Sequence, residues 1–174
     1  MEKLTLHLEI LINNYMEFYT IGVYNSTETV FFNKLIDNGI DTFCDIRQRR
    51  GVRGSKYSFV NSKKLQEKLK KLDIKYLHYL DLAPTKKIRE LQRNVDSKKS
   101  ELKSNRSSLG EIFIEEYNKQ IIDNFNFDNF IKVLKKNESK KVALFCVEEN
   151  HKACHRSLVS NKLSSDLNFN VNHI

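Results

Sequence analysis

No run of this sequence stays apolar for the ~18 residues that a bilayer span needs. A membrane-spanning helix is therefore not expected, and no membrane partner is. The first residues, Met1-Glu2-Lys3-Leu4-Thr5-Leu6-His7, lack the small-residue cleavage pattern of a secretory leader, so a cytoplasmic location is the default expectation. Cysteine is scarce: three residues, an odd number, argue against a disulfide framework and for reduced thiols. There is no paired CxxC to suggest a zinc ribbon. Only five glycines are present, and none are grouped as a dinucleotide-binding GxGxxG or a phosphate-binding P-loop. Proline occurs once, at Pro84, and no internal repeat is visible.

What is abundant is charge, mostly positive. Charged residues make up 30% of the 174-residue chain and apolar residues 40%, the balance of a soluble domain with a real core. The formal charge of +8 favours polyanionic partners, and a nucleotide or nucleic acid is the expected one. Oligomeric state has no signature in the sequence.

Hydrophobic periodicity gives the architecture. Leu4, Leu6, Leu8 and Ile10 alternate as in a strand, but residues 1–15 are also readable as an extension or a misassigned start. The domain proper is expected over 16–174. Phe18-Tyr19-Thr20-Ile21-Gly22 reads as a strand. Asn25, Ser26 and Thr27 then offer N-cap side chains, Val30, Phe31, Lys34, Leu35 and Asn38 follow helical spacing, and Gly39 ends the helix. Ile40 to Ile46 reads as the second strand, and this strand-helix-strand unit implies parallel pairing. Asn61 or Ser62 caps a helix through Leu72, and Tyr76 to Leu80 is a third strand. Pro84 suits the first position of a helix to about Gln92. Ser108-Leu109-Gly110-Glu111 fits a capping box before a helix carrying Ile112, Ile114, Tyr117 and Ile121. A further helix covers roughly 127–136. Val142 to Val147 is a buried strand, and a last helix runs from about Cys154 to Leu163. The expected fold class is a single-domain α/β three-layer sandwich, Rossmann-like, with a mostly parallel sheet of about four strands.

Ligands of such sheets bind outside the carboxyl ends of the strands, and the unusual side chains sit there. After the first strand, Thr20, Gly22 and Ser26 offer hydroxyls and free N–H groups for an anion, or else form a plain capped turn. After the second, Asp45 and Arg47 share a face by strand alternation. They form either a salt bridge or half of a site. Four arginines and two glycines fall within residues 47–54, and no acidic residue occurs from Ile46 to Gln66. Arg49, Arg50, Arg53 and Lys56 there suit phosphate groups, with Tyr57 and Phe59 placed to stack on bases. His78 lies among aromatics on the third strand, where a hydrogen-bonded core histidine is the alternative to a catalyst.

The densest cluster is Cys146-Val147-Glu148 followed by Cys154-His155-Arg156. Three chemical readings compete with a scaffold role. Metal binding by Cys146, Cys154 and a His or Glu is disfavoured, because adjacent Cys154 and His155 are awkward ligands for one tetrahedral ion; zinc is not expected, and no other cofactor is indicated. A thiolate nucleophile at Cys154 or Cys146 would draw on a helix N-terminus. Glu148 as acid, base or nucleophile, with Arg156 clamping negative charge, is the preferred reading. In the scaffold alternative the cysteines are small buried hydrophobes and Arg156 pairs with Glu148.

Taken in order, Tyr19-Thr20-Ile21-Gly22, Asp45-Ile46-Arg47, Tyr76-Leu77-His78, Cys146-Val147-Glu148 and Cys154-His155-Arg156 resemble the motifs of the DUF488 family. That family shows a TIG strand, an acidic-X-Arg motif and a C-x-E…CHR signature. Leu82-Ala83-Pro84-Thr85-Lys86 with Arg89 resembles a subset of it. The resemblance spans about residues 18–165. It implies an α/β domain and an enzyme, and it marks Thr20, Gly22, Asp45, Arg47, His78, Glu148, Cys154, His155 and Arg156 as motif positions. It supplies no reaction. One departure is Gly22-Val23-Tyr24-Asn25-Ser26, which lacks the histidine of the family's short G-H-S turn. The combined expectation is an enzyme acting on a nucleotide or nucleic acid, of hydrolase or glycosyl-bond type, with Asp45 and Glu148 catalytic. A non-catalytic nucleic-acid-binding or regulatory module is the alternative, and a thiol- or metal-dependent enzyme the second.

Overall fold

The computed structural model describes residues 16–98, 100, 102 and 105–174. The possible strand around Leu4 to Ile10, and the question of an extension over 1–15, lie outside the described residues. The rest forms one sheet of five parallel strands, flanked by six α-helices, as a Rossmann-like sandwich. Its elements are β1 (Glu17–Ile21), α1 (Glu28–Asp37), β2 (Thr42–Asp45), α2 (Ser62–Lys71), β3 (Lys75–His78), α3 (Lys86–Lys98), α4 (Glu111–Gln120), α5 (Phe127–Lys136), β4 (Lys141–Phe145), α6 (Arg156–Asn161) and β5 (Asn170–His173).

The strand order is β3-β2-β4-β1-β5. β4 is the reason for this arrangement. Val142 and Leu144 enter one apolar cluster with Ile88, Tyr117, Phe130 and Leu163, whereas Ala143 and Phe145 enter the other with Phe31, Leu35, Leu65 and Leu69. Alternate residues of a strand face opposite ways, so an apolar run without alternation must be covered on both sides. β4 therefore takes the centre, with α1 and α2 on one face and α3 to α6 on the other.

Several expectations require correction. β1 and β2 are parallel but do not pair with each other, because β4 is inserted between them, with Ile21 and Asp45 both in register with Phe145. The sheet has five strands instead of four. β5, Asn-Val-Asn-His, carries no apolar alternation and is held as an edge by its ladder to β1, which pairs Thr20 with His173. Helix α3 starts after Thr85, whose hydroxyl accepts from the Ile88 N–H, and not at Pro84. No capping box precedes α4: Gly110 is its N-cap, and the Gly110 N–H donates to Gln92 Oε1 on α3. The last helix begins at Arg156 and passes into a π-helical turn over Lys162–Asp166. By contrast, Thr27 caps α1 through Val30 N–H, and Gly39, at φ 64°, follows its end.

Candidate functional site

The carboxyl ends of β1, β2 and β4 meet at one edge of the sheet. Val147 carbonyl accepts from the N–H groups of Val23 and Tyr24, and Phe145 carbonyl from Ile46 N–H. The approach is close: a Cβ on Gly22 would stand 1.9 Å from the Glu148 carbonyl oxygen, so only glycine fits there.

The charged residues at this edge fall into two networks. In the first, Asp45 Oδ1 accepts from Arg47 N–H and Nε, while Oδ2 accepts from Arg47 Nη2 at 2.7 Å and from Tyr76 OH at 2.9 Å. Arg47 Nη2 also donates to Val60 carbonyl, and its guanidinium lies 4.5 Å from the Phe145 ring centroid. His78 Nε2 donates to Arg47 carbonyl. Burial, then the Asp45 charge, pushes the Tyr76 hydroxyl up to about 12, which keeps it a donor. Asp45 is fully buried and Arg47 is 3% exposed. One group is left over: Arg47 Nη1 has no hydrogen-bond partner among the described residues.

In the second network, Glu148 Oε1 accepts from Arg106 Nη2 at 3.2 Å and Oε2 from Cys146 Sγ at 3.2 Å. Arg106 also binds Asp96 and Ala153 carbonyl. His155 donates from Nε2 to Ile46 carbonyl at 3.1 Å, and its Nδ1 lies 3.8 Å from Cys146 Sγ and 3.7 Å from Cys154 Sγ. Those three ligand-type atoms lie within 4.8 Å of one another. The Cys146 thiol is pushed well up by its hydrogen bond with Cys154 and by burial, which holds it protonated and speaks against a resting thiolate nucleophile. Burial disfavours a charged His155, but Cys146 and Glu148 outweigh it and raise the imidazole above its usual value.

Arg156 is turned to the protein backbone. Its Nη1 and Nη2 donate to the carbonyls of Glu148 and Glu149, and it is 1% exposed. Its contact with Glu148 is to the backbone and not to the carboxylate. Thr20 Oγ1 is hydrogen-bonded to His173 Nδ1 at 2.7 Å and is buried, and Ser26 Oγ donates to Thr27 carbonyl. Phe59 does not reach solvent to stack on bases; it packs against Phe31 and Phe32 in the core. Cys154 sits two residues before α6, in extended backbone.

Arg49, Arg50, Arg53 and Lys56 are exposed on the β2–α2 loop. Asn61 Oδ1 accepts from Val52 N–H, and Arg50 carbonyl from Ser62 N–H, so α2 fixes the loop's base. Tyr57 OH accepts from Asn25 N–H, and the Tyr57 ring lies 5.4 Å from that of Tyr24. The basic loop is thereby docked on the turn that follows β1.

The family model described as "Domain of unknown function DUF488" matches residues 27–163. The chain belongs to the DUF488 family. No curated protein and no solved structure matches it.

In this DUF488 protein a cavity of about 610 Å3 lies near the edge, lined by Gln48, Tyr79, Asp81, Thr85, Lys86 and Asn126 among others. Asp45, Arg47, Glu148 and Arg156 do not line it. Size alone does not locate function, and the two networks are the better candidates because the family motifs and perturbed groups converge on them. Sequence reasoning missed Arg106 and Asp96. They sit in a polar, basic stretch whose local pattern reads as loop, and nothing short-range marks Arg106 as the partner of a residue 42 positions away. Among the described residues no helix is long and apolar enough to cross a membrane.

Proposed function

We propose that this protein binds a phosphate-bearing ligand, a nucleotide or nucleic acid, at the carboxyl edge of its sheet, and acts on it as a hydrolase or glycosyl-bond enzyme. The observation that carries the reading is Arg47: a buried guanidinium with an unpartnered Nη1, at the root of a loop bearing four exposed cations. A guanidinium held by a bidentate carboxylate keeps its remaining donors in a fixed plane, the arrangement that suits phosphate oxygens. Asp45 then positions Arg47, since all its hydrogen bonds go to that task and to Tyr76. Glu148, between a thiol and an arginine and beside an imidazole with a raised pKa, is the acid-base group. Arg49, Arg50, Arg53 and Lys56 supply phosphate contacts, and the Tyr24–Tyr57 pair a stacking surface. A cytoplasmic location fits such a ligand.

The test is titration of a fluorescent single-stranded oligonucleotide and of a nucleotide panel at several salt concentrations. Binding should weaken with salt, and the triple change Arg49→Ala, Arg50→Ala, Arg53→Ala should lower both the affinity and the salt slope, by up to about 1 per lost phosphate contact. Unchanged binding in the triple variant would sink the assignment. A second reading, a non-catalytic nucleic-acid module, is favoured by the burial of Asp45, Arg47, Glu148 and Arg156, none more than 5% exposed. Glu148→Gln separates the two: loss of a detected turnover with binding retained supports the enzyme, and turnover that survives the change removes Glu148 from the chemistry.

A further inference from the structure

The feature that made a metal site look unfavourable in the sequence was the adjacency of Cys154 and His155. The backbone removes that objection. Cys154 is extended (φ −137°, ψ 144°) and His155 is helical (φ −57°, ψ −18°). The chain turns between them, and neighbouring side chains converge until Sγ and Nδ1 are 3.7 Å apart. Cys146, just past β4, arrives from the opposite side with its Sγ 3.8 Å from the same nitrogen. Around a tetrahedral zinc ion, with bonds of about 2.3 Å to sulfur and about 2.0 Å to nitrogen, a sulfur-to-nitrogen edge comes to about 3.5 Å. Both measured edges are within a few tenths of an ångström of that, and all three donor atoms lie within 4.8 Å of one another.

A second observation is independent of these distances. His155 donates its Nε2 proton to Ile46 carbonyl at 3.1 Å, which leaves the lone pair of neutral imidazole on Nδ1, facing the two sulfurs. Ligating histidines are commonly oriented in this manner by a carbonyl or carboxylate on the far nitrogen. Glu148, held by Arg106, accepts the Cys146 S–H, and that hydrogen bond ends when the thiol ionises on loading. Burial is compatible too. Two thiolates balance a divalent charge, so the trio with its ion is neutral in a place where each residue is at most 5% exposed.

We infer that Cys146, Cys154 and His155 form a three-ligand site for a thiophilic divalent cation, with zinc as the ion. Two thiolates and an imidazole suit zinc and do not suit calcium or magnesium, which take oxygen ligands. Loading releases one proton from each thiol to solvent. The site shares no residue with the proposed phosphate contacts of the basic loop, but its Cys146 and His155 are the thiol and imidazole beside Glu148; its test does not read activity, so the two readings can fail separately.

The full chain, purified under reducing conditions without chelator, is assayed for bound metal by elemental mass spectrometry, before and after incubation with zinc and dialysis. About one zinc per chain is expected. The ion should be lost from Cys154→Ser and from His155→Gln and kept by Cys44→Ser, whose thiol is buried in β2 away from the trio. Because a buried substitution can cost the fold itself, the unsubstituted protein carries a second measurement. Cobalt added to metal-free protein should give sulfur-to-metal charge-transfer absorption with tetrahedral ligand-field bands, and zinc should raise the melting temperature. Sub-stoichiometric metal after zinc incubation, with no cobalt spectrum and no thermal shift, overturns the site. So does a cobalt spectrum that persists in both Cys146→Ser and Cys154→Ser, which would place the ion elsewhere.

Discussion

The two charged networks at the carboxyl edge are built from similar parts and behave differently. Around Asp45 and Arg47, every carboxylate lone pair in use accepts from a donor that its neighbours fix, and one arginine N–H group is left over. Around Glu148, a carboxylate, two thiols and an imidazole face one another across distances of 3.2 to 3.8 Å, and the Cys146 thiol and the His155 imidazole are both pushed above their ordinary values there. The first network fixes a geometry. The second holds protons in places where chemistry or a metal ion can use them. Both are needed to read the edge as a site, because a rigid cation without an acid-base group binds, and an acid-base group without a rigid cation has nothing oriented before it.

The largest effect that would break this contrast is expected from Arg47→Ala. It leaves the Asp45 carboxylate buried with two of its four donors and its countercharge gone, and removing one partner of a buried ion pair costs about 3–5 kcal/mol. Denaturant unfolding measures it, and a loss under about 1 kcal/mol would show that Asp45 is not dependent on the pair. Glu148→Gln keeps the shape and turns the ion pair with Arg106 into a hydrogen bond from a charged donor to a neutral acceptor, so a smaller loss, of about 1.5–3 kcal/mol, is expected in the same experiment. If the order of the two were reversed, Glu148 would be the structural residue and Asp45 the adaptable one.

The smallest effect concerns a third cluster behind β1. His151 and His173 stack with ring centroids 3.6 Å apart, and both are held below their usual pKa, first by burial and then by nearby positive charge that includes Arg156. A folded-state pKa below the unfolded one means that stability is complete above about pH 6.5 and is lost as pH falls through the depressed values. Melting temperature should therefore drop on acidification below that point, and the drop should shrink in His173→Asn. Both rings are partly open to solvent, so screening keeps the effect modest. An acid limb of equal size in the variant would assign it to other groups.

Much of the local structure was legible. The β1–α1 unit, its Thr27 cap and Gly39 stop, and the buried β4 run follow from short-range rules. The Asp45–Arg47 face also followed from strand alternation, although its outcome, a closed bidentate pair, did not. Residues such as Phe59 and Arg156 read as functional by type and position and turned out to face the core and the backbone. Arg106 read as loop and became the partner of Glu148. For Phe59 and Arg106 the deciding contact was made by a residue far away in the chain, and for Arg156 by the loop that folds back seven and eight residues before it.

The sequence by itself determined the alternation of helices and strands, the parallel sheet, and the gathering of unusual side chains at strand ends, because periodicity and capping act over a few residues. Only the tertiary structure decided that β4 lies between β1 and β2, that Asp45 is occupied by Arg47 and Tyr76, and that Cys146 meets Cys154 and His155. Strand order is set by which run must be covered on both faces, and side-chain partners are set by where that order brings distant strand ends together.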